Sequence, residues 1–190
     1  MTTIVAVKDK DGCLLAADSR VTTGDHVEQT NCQKILDYGY FLIASSGTLR
    51  NINIMEGFFK PPYISWDEDV RKFLLARFVP ALISCMEENG AISLSECPLT
   101  QENNFVVAID GRVFVIGTDF SVLEVTDYTA DGSGKYYAIG ALDATAGLGI
   151  SSKERAKAAI ESSIANSGCS GGAIFYHKNI PLDRKEVKKV

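Results

Sequence analysis

Directly behind Met1 stand Thr2 and Thr3, followed by the β-branched and apolar run Ile4-Val5-Ala6-Val7. With the methionine removed, Thr2 becomes the first residue and carries both a hydroxyl and a free α-amine. Serine and threonine hydroxyls are weak nucleophiles until a base takes their proton, and an N-terminal amine is one solution. The amine's reference pKa of about 8 leaves a neutral fraction near pH 7 without any histidine. Two charges stand in the strands that follow: Asp18, directly after Ala16-Ala17, and Lys34, at the head of Ile35-Leu36. Lys and Asp are rarely buried unless paired. A buried Lys34–Asp18 pair beside Thr2 would keep Lys34 cationic and lower the pKa of the Thr2 hydroxyl and amine. Ordinary surface charges are the plainer reading of each residue taken alone.

Other chemistries find less support. The five cysteines, Cys13, Cys32, Cys85, Cys97 and Cys169, are scattered, odd in number and form no CxxC pair. That argues against zinc ligation and a disulfide framework. Cys13 and Cys85 are expected to pack as small hydrophobes. Of the two histidines, His26 lies in a polar hairpin-like stretch and His177 ends an apolar strand, so a Ser-His-Asp arrangement has little to stand on. With 24 acidic against 19 basic residues and a net charge of -5, the chain has no basic footprint for nucleic acid. Its one basic cluster is the charged tail at about 183–190, a solvated end or, more sharply, a docking tail for a partner. No run reaches the ~18 apolar residues of a membrane span, and the N-terminus lacks a signal-peptide core. A cytoplasmic protein is the expectation.

The elements that must position these residues read as follows. Thr3 to Val7 is a strand buried on both faces, turning at Asp9-Lys10-Asp11-Gly12 into Cys13 to Ala17. A polar hairpin spans Val21 to Asn31, and a strand pair surrounds Gly39. A helix is predicted from about Thr48 to the stop at Lys60-Pro61-Pro62. Ser65-Trp66-Asp67-Glu68 reads as a capping box for a helix presenting Val70, Phe73, Leu74, Phe78, Ala81, Leu82 and Cys85, kinked or broken at Pro80. After a loop over 91–104, a hairpin turns at Asp110-Gly111 and Ser121 to Val125 extends the sheet. Gly132 to Gly149 suggests a closely packed helix. A second capping box, Ser151-Ser152-Lys153-Glu154, opens a helix with Ala156, Ala159, Ile160 and Ile164 inward, and Gly172 to Tyr176 is the last strand. Helices segregated from antiparallel strands predict an α+β fold, and 190 residues predict one domain.

Met1-Thr2-Thr3-Ile4-Val5-Ala6-Val7, Ala16-Ala17-Asp18-Ser19-Arg20, Lys34, Ser46-Gly47-Thr48 and Gly132-Ser133-Gly134 resemble, in order and spacing, the N-terminal-nucleophile threonine peptidases. Within these the chain looks like a proteasome β-type subunit, nearest the bacterial HslV peptidases. The resemblance is close in the first 50 residues, recurs at 132–149 and is loose elsewhere. It implies a four-layer αββα sandwich over residues 1–190, or 2–190 after Met1 removal. It implies a threonine-type endopeptidase subunit of a self-compartmentalising ring, acting on unfolded polypeptide and served by an ATP-dependent unfoldase. Thr2 would be the nucleophile, its α-amine the base, and Lys34 paired to Asp18 would tune the site. The Gly47 N–H would bind the oxyanion, Ser133 would hydrogen-bond the Thr2 amine, and Ser170 matches the serine of a closing Ser-Gly-Gly.

One departure from the pattern stands in the closing segment, Asn166-Ser167-Gly168-Cys169-Ser170-Gly171-Gly172. The resemblance implies an aspartate shortly before Ser-Gly-Gly, and Ser167 or, one register earlier, Asn166 replaces it. A neutral group there no longer holds a cationic amine, so an amine pKa at or below its reference value is expected. No cofactor is implied, and a structural monovalent cation near the 167–172 turn is left open. Two other readings fit the same residues: a non-peptidase amidohydrolase of this superfamily, and a catalytically silent ring subunit.

Overall fold

The computed structural model describes residues 2–65, 67–92, 104–168 and 170–182. The first half of the chain contributes β1 (Ile4–Asp9), β2 (Gly12–Asp18), β3 (Thr22–Thr23), β4 (His26–Val27), β5 (Ile35–Asp37), β6 (Phe41–Ser45) and α1 (Leu49–Phe58). Next come α2 (Val70–Phe73), one wide π turn (Leu74–Phe78) and α3 (Val79–Glu88). The second half adds β7 (Phe105–Ile109), β8 (Arg112–Ile116), β9 (Val122–Val125), β10 (Tyr128–Asp131), α4 (Lys135–Ala144), α5 (Ser152–Asn166) and β11 (Ile174–Asn179).

These elements stack as the four-layer αββα sandwich of an α+β fold. One antiparallel sheet has the order β10-β1-β2-β11 and the other β5-β6-β7-β8-β9. Strand alternation explains why β1 and β2 read as unbroken apolar runs, since successive side chains point to opposite faces. Ile4, Ala6, Leu15 and Ala17 meet Leu42, Ala44, Val106 and Val113 of the second sheet in the inner core. Val5, Val7, Leu14 and Ala16 meet Ala138, Leu142, Ala156, Ala159 and Ile160 of α4 and α5. On the far side, α1 to α3 cover the second sheet with Met55, Phe73, Phe78 and Leu82 over Phe41, Phe105 and Phe114. Phe41 and Phe78 meet edge-to-face at 5.3 Å, a favoured aromatic arrangement.

The helix ends settle two of the expectations. At Ser151 the capping box forms: its hydroxyl accepts the Glu154 N–H at 3.2 Å, and Glu154 accepts the Ser151 N–H at 2.8 Å. At Ser65 only half forms. Glu68 reaches back to the Ser65 N–H, but Asp69 is the N-cap, accepting the Lys72 N–H at 2.9 Å. Starting the helix at Val70 lets a carboxylate take the cap, and a charged acceptor makes the stronger bond. The helix expected to kink or break at Pro80 is divided just ahead of it, with one π turn between α2 and α3. The Val79 N–H bonds Leu74 O across the π turn, and Pro80 falls in the first turn of α3, where its missing N–H is not needed. β10 carries no strong apolar alternation and the sequence does not predict it; pairing with β1 makes it a strand. The last strand runs on to Asn179, and the Gly132 to Gly149 helix narrows to Lys135–Ala144. The charged tail, Cys97 and most of the 91–104 loop lie outside the described residues.

Candidate functional site

Thr2 precedes β1 and is buried. Continuing the alternation of β1 puts Thr2 with Ile4 and Ala6 on the inter-sheet side, and Thr3 with Val5 and Val7 on the helix side. The contacts agree. The Thr2 N–H donates to Ser133 Oγ at 3.3 Å, and the Ser133 hydroxyl returns a bond to Thr2 O at 3.4 Å. No group among the described residues hydrogen-bonds the Thr2 hydroxyl. Gly132, at φ +90°, lets the Gly132-Ser133-Gly134 turn come this close: a Cβ there would stand 2.2 Å from Thr2 O.

Asp18 ends β2 with no exposed surface and forms the hub beneath Thr2. Its Oδ1 accepts the Thr3 N–H at 2.8 Å and the Lys34 ammonium at 3.0 Å; its Oδ2 accepts the Gly171 N–H at 2.9 Å and the Arg20 N–H at 3.3 Å. Lys34 also donates to Arg20 O at 2.8 Å and is 3% exposed. The pair is therefore buried and not a surface one. Burial pulls the Lys34 pKa below its ordinary value, and Asp18 opposes that pull. A lysine so placed is a fixed cation with little freedom to swing to water.

Ser45 ends β6, and Ser46, Gly47 and Thr48 lead into α1, whose N-cap is Thr48. Gly47 takes φ +102°, which glycine adopts without strain. The free N–H groups and dipole of a helix start favour negative charge there. Ser46 is fixed from two sides: its N–H bonds Asn104 O at 3.3 Å and its hydroxyl donates to Asp131 Oδ2.

Ser170 is buried, and its hydroxyl turns toward Thr3, not Thr2. Thr3 Oγ1 lies 2.6 Å from both Ser163 Oγ and Ser170 Oγ, which are 3.1 Å apart. Ser170 thus reaches Thr2 through the adjoining residue. Of the two candidates for the replaced carboxylate, Asn166 bonds back to Ser162 O at 2.8 Å, and Ser167 caps α5 through its own N–H to Ser163 O. In the 167–172 turn, Gly171 O accepts the Ser19 and Arg20 N–H groups and Gly168 O accepts the Arg20 guanidinium.

Neither histidine bonds Thr2 or Asp18. His26 sits on the β3–β4 hairpin, and His177 lines a separate cavity of about 620 Å³ with Cys32, Asp37 and Glu56. Cys13 and Cys85 are both buried, and burial pushes the Cys13 thiol up to about 12, far from a reactive thiolate. No helix among the described residues is long and apolar enough to cross a membrane.

Sequence reasoning missed Ser163, Asp131 and Asn104. Ser163 interrupts the apolar stripe of α5 after Ala156, Ala159 and Ile160, and a polar residue in an inward stripe is a legible signal. Asp131 directly precedes the Gly-Ser-Gly turn, yet its burial depends on a strand that the pattern does not predict.

The profile of the family described as "Proteasome subunit" matches residues 1–59. A curated "Proteasome subunit beta" of Nanoarchaeum equitans (strain Kin4-M) is 29% identical over 200 residues, covering 100% of this chain and 97% of that protein. Among solved structures, Thiobacillus denitrificans BPH, also solved in complex with epoxomicin, superimposes with a TM-score of 0.79 at 20% identity, covering 95% of this chain and 100% of that one. HslV from Trypanosoma brucei gives 0.67 at 19% identity, with 92% and 97% covered. The chain thus resembles proteasome β-type subunits in sequence and shares the proteasome and HslV fold.

Proposed function

We propose that this chain is a threonine-type endopeptidase subunit of a ring-forming protease, with Thr2 as its nucleophile once Met1 is removed. The observation carrying the reading is the surroundings of Thr2. Its nitrogen is held on Ser133 Oγ and its hydroxyl is unpartnered among the described residues, while a buried Lys34–Asp18 pair anchors the backbone at Thr3.

The freed α-amine takes the Thr2 hydroxyl proton as Oγ1 attacks the scissile carbonyl carbon. The resulting oxyanion is stabilised by the Gly47 N–H at the start of α1, where one such donor is typically worth ~3 kcal/mol. Collapse breaks the C–N bond, the ammonium returns its proton to the leaving amine, and an ester on Thr2 remains. Water activated by the same amine hydrolyses the ester and restores Thr2. Asp18 keeps the first residues in register, and the Lys34 cation favours the neutral amine. Likeness to a proteasome β subunit and to HslV supports ring assembly with protein substrates; that the ring is homo-oligomeric and served by an ATP-dependent unfoldase is part of the same proposal.

A second reading, a silent structural subunit, is favoured by Ser167 and Asn166 standing where the resemblance implies a carboxylate. Intact mass of the purified protein, before and after an epoxyketone probe, separates the two when read with hydrolysis of a fluorogenic peptide. An epoxyketone needs the hydroxyl and the free amine of one residue. The active reading expects loss of Met1, one adduct per chain, turnover, and neither adduct nor turnover in Thr2→Ala. Turnover near the parent rate in Thr2→Ala overturns the threonine mechanism; a processed parent with neither adduct nor turnover supports the silent subunit.

A further inference from the structure

The proposed nucleophile and oxyanion donor belong to different sheets. Thr2 precedes β1 in the first, and Gly47 follows β6 in the second. Apolar packing between sheets is non-directional and does not by itself fix the offset of one strand end against another. Polar side chains that cross the gap can. Near Thr2, two such crossings stand out among the described residues. One is Lys34 on Asp18. The other is Asp131, whose Oδ2 accepts from Ser46 Oγ and whose Oδ1 accepts from Asn104 Nδ2 at 3.0 Å.

The register explains how Asp131 reaches across. It pairs with Ile4 in the β1–β10 ladder, so both side chains point to the inter-sheet face. The next residues of β10's chain are Gly132 and Ser133, the turn that holds Thr2. Asp131 therefore has its backbone tied to the nucleophile's strand and its carboxylate tied to the residue before Gly47. It is 6% exposed, and no lysine, arginine or histidine pairs with it among the described residues. A carboxylate buried without a counter-charge costs stability, and rules of packing are broken most often where function needs a particular arrangement.

We infer that Asp131 is a positioning residue for the peptidase reaction, clamping Ser46 and Asn104 so that the Gly47 N–H is held at a fixed offset from Thr2. The inference rests on the proposed function. A shared offset between nucleophile and oxyanion donor matters only as the carbonyl becomes tetrahedral, so its loss lowers kcat more than it raises KM.

The test uses the full chain, with kcat and KM on a fluorogenic peptide, the epoxyketone adduct, melting temperature and the acidic limb of kcat/KM measured together. Asp131→Ala is expected to lower kcat by ~10- to 100-fold, below the loss from removing a whole oxyanion donor, with KM within about 3-fold. Asp131→Asn is expected to stay within about 3-fold of the parent, because a carboxamide can accept from Asn104 and donate to Ser46 Oγ. Ser46→Ala should lower kcat in the same way but by no more than Asp131→Ala, which loses the Asn104 bond as well, and the double variant should be no worse than Asp131→Ala, the mark of one shared interaction. Parent-like kcat in folded Asp131→Ala overturns the inference; should that variant not fold, parent-like kcat in Ser46→Ala overturns it. An Asp131→Asn enzyme as slow as Asp131→Ala, with a moved acidic limb, replaces the clamp by a charge effect and overturns it as well. A parent protein without turnover or adduct overturns the proposed function and this inference with it, whereas an active parent with indifferent variants overturns only the inference.

Discussion

Gly134→Ala tests the packing beneath the site. Gly134 precedes α4 at φ -91° and ψ 5°, a conformation alanine adopts freely, so backbone strain plays no part. Space decides instead. A Cβ built there stands 1.8 Å from Ser163 Oγ, 2.1 Å from Thr3 Oγ1 and 2.9 Å from Ser170 Oγ, against ordinary contacts of 3.4–4 Å. The hydroxyls must move by more than an ångström in total, and they are the groups that bond one another at 2.6 Å. Overpacking costs ~1–3 kcal/mol, and a buried hydroxyl left unpaired costs ~1–3 kcal/mol more. The two together come to ~2–6 kcal/mol, and even about 3 kcal/mol lowers the melting temperature by roughly 6–12 °C in a domain of this size.

The assay is thermal unfolding by circular dichroism, with peptide turnover alongside, because Thr3 carries Thr2 with it when displaced. Gly140→Ala on the same helix is the control: nothing lies within 4 Å of a Cβ there, and the change should leave stability level or raise it by ~0.5–1 kcal/mol. Adding Ser163→Ala to Gly134→Ala removes the nearest clash and should recover part of the loss. A Gly134→Ala protein melting within about 2 °C of the parent, below the shift expected even for 1 kcal/mol, refutes the reasoning.

The buried pair gives two further expectations. Lys34→Ala leaves Asp18 without its cation and should cost ~3–5 kcal/mol as well as turnover; a parent-like melting temperature would show that the charges are independent. Because burial depresses the Lys34 pKa, the cation is lost as pH rises through that lowered value. Between it and the ordinary lysine value the unfolded chain holds more protons, so Lys34's contribution to stability rises with pH there. Activity should therefore fall on an alkaline limb below the lysine range while the fold holds, and a pH–rate profile flat through that range rules the effect out. Ser151→Ala removes the cap that starts α5 and should lower stability by ~1 kcal/mol without changing KM, measured by urea unfolding and steady-state kinetics.

Much of the architecture is legible in the sequence because its signals are local. The β1–β2 and β7–β8 hairpins show as largely unbroken apolar runs on either side of Asp-Gly turns, and α5 as Ser151 with Glu154 three residues on. Such features are fixed by neighbours a few positions away. β10 and the start of α2 are not legible in this way. Tyr128–Asp131 becomes a strand through β1, and the helix at Val70 begins at Asp69 because a charged cap competes with Ser65.

The site divides along the same line. The sequence alone singled out the residues proposed to carry the chemistry at the N-terminus: a threonine behind Met1, an acid at the end of an apolar strand and a lysine at the head of another. Side-chain type and order suffice for that, since a nucleophile, a base and a charged pair are chemical identities. The tertiary structure decided which hydroxyl meets which. Ser170 goes to Thr3, Ser163 joins it from a helix, and Asp131 crosses to Ser46 from a strand 85 residues further along the chain. Those contacts depend on the register of β1 against β10 and on the offset of two stacked sheets. No local pattern encodes them, because a one-residue change of register turns a side chain to the opposite face while leaving every hydrophobic period in the sequence unchanged.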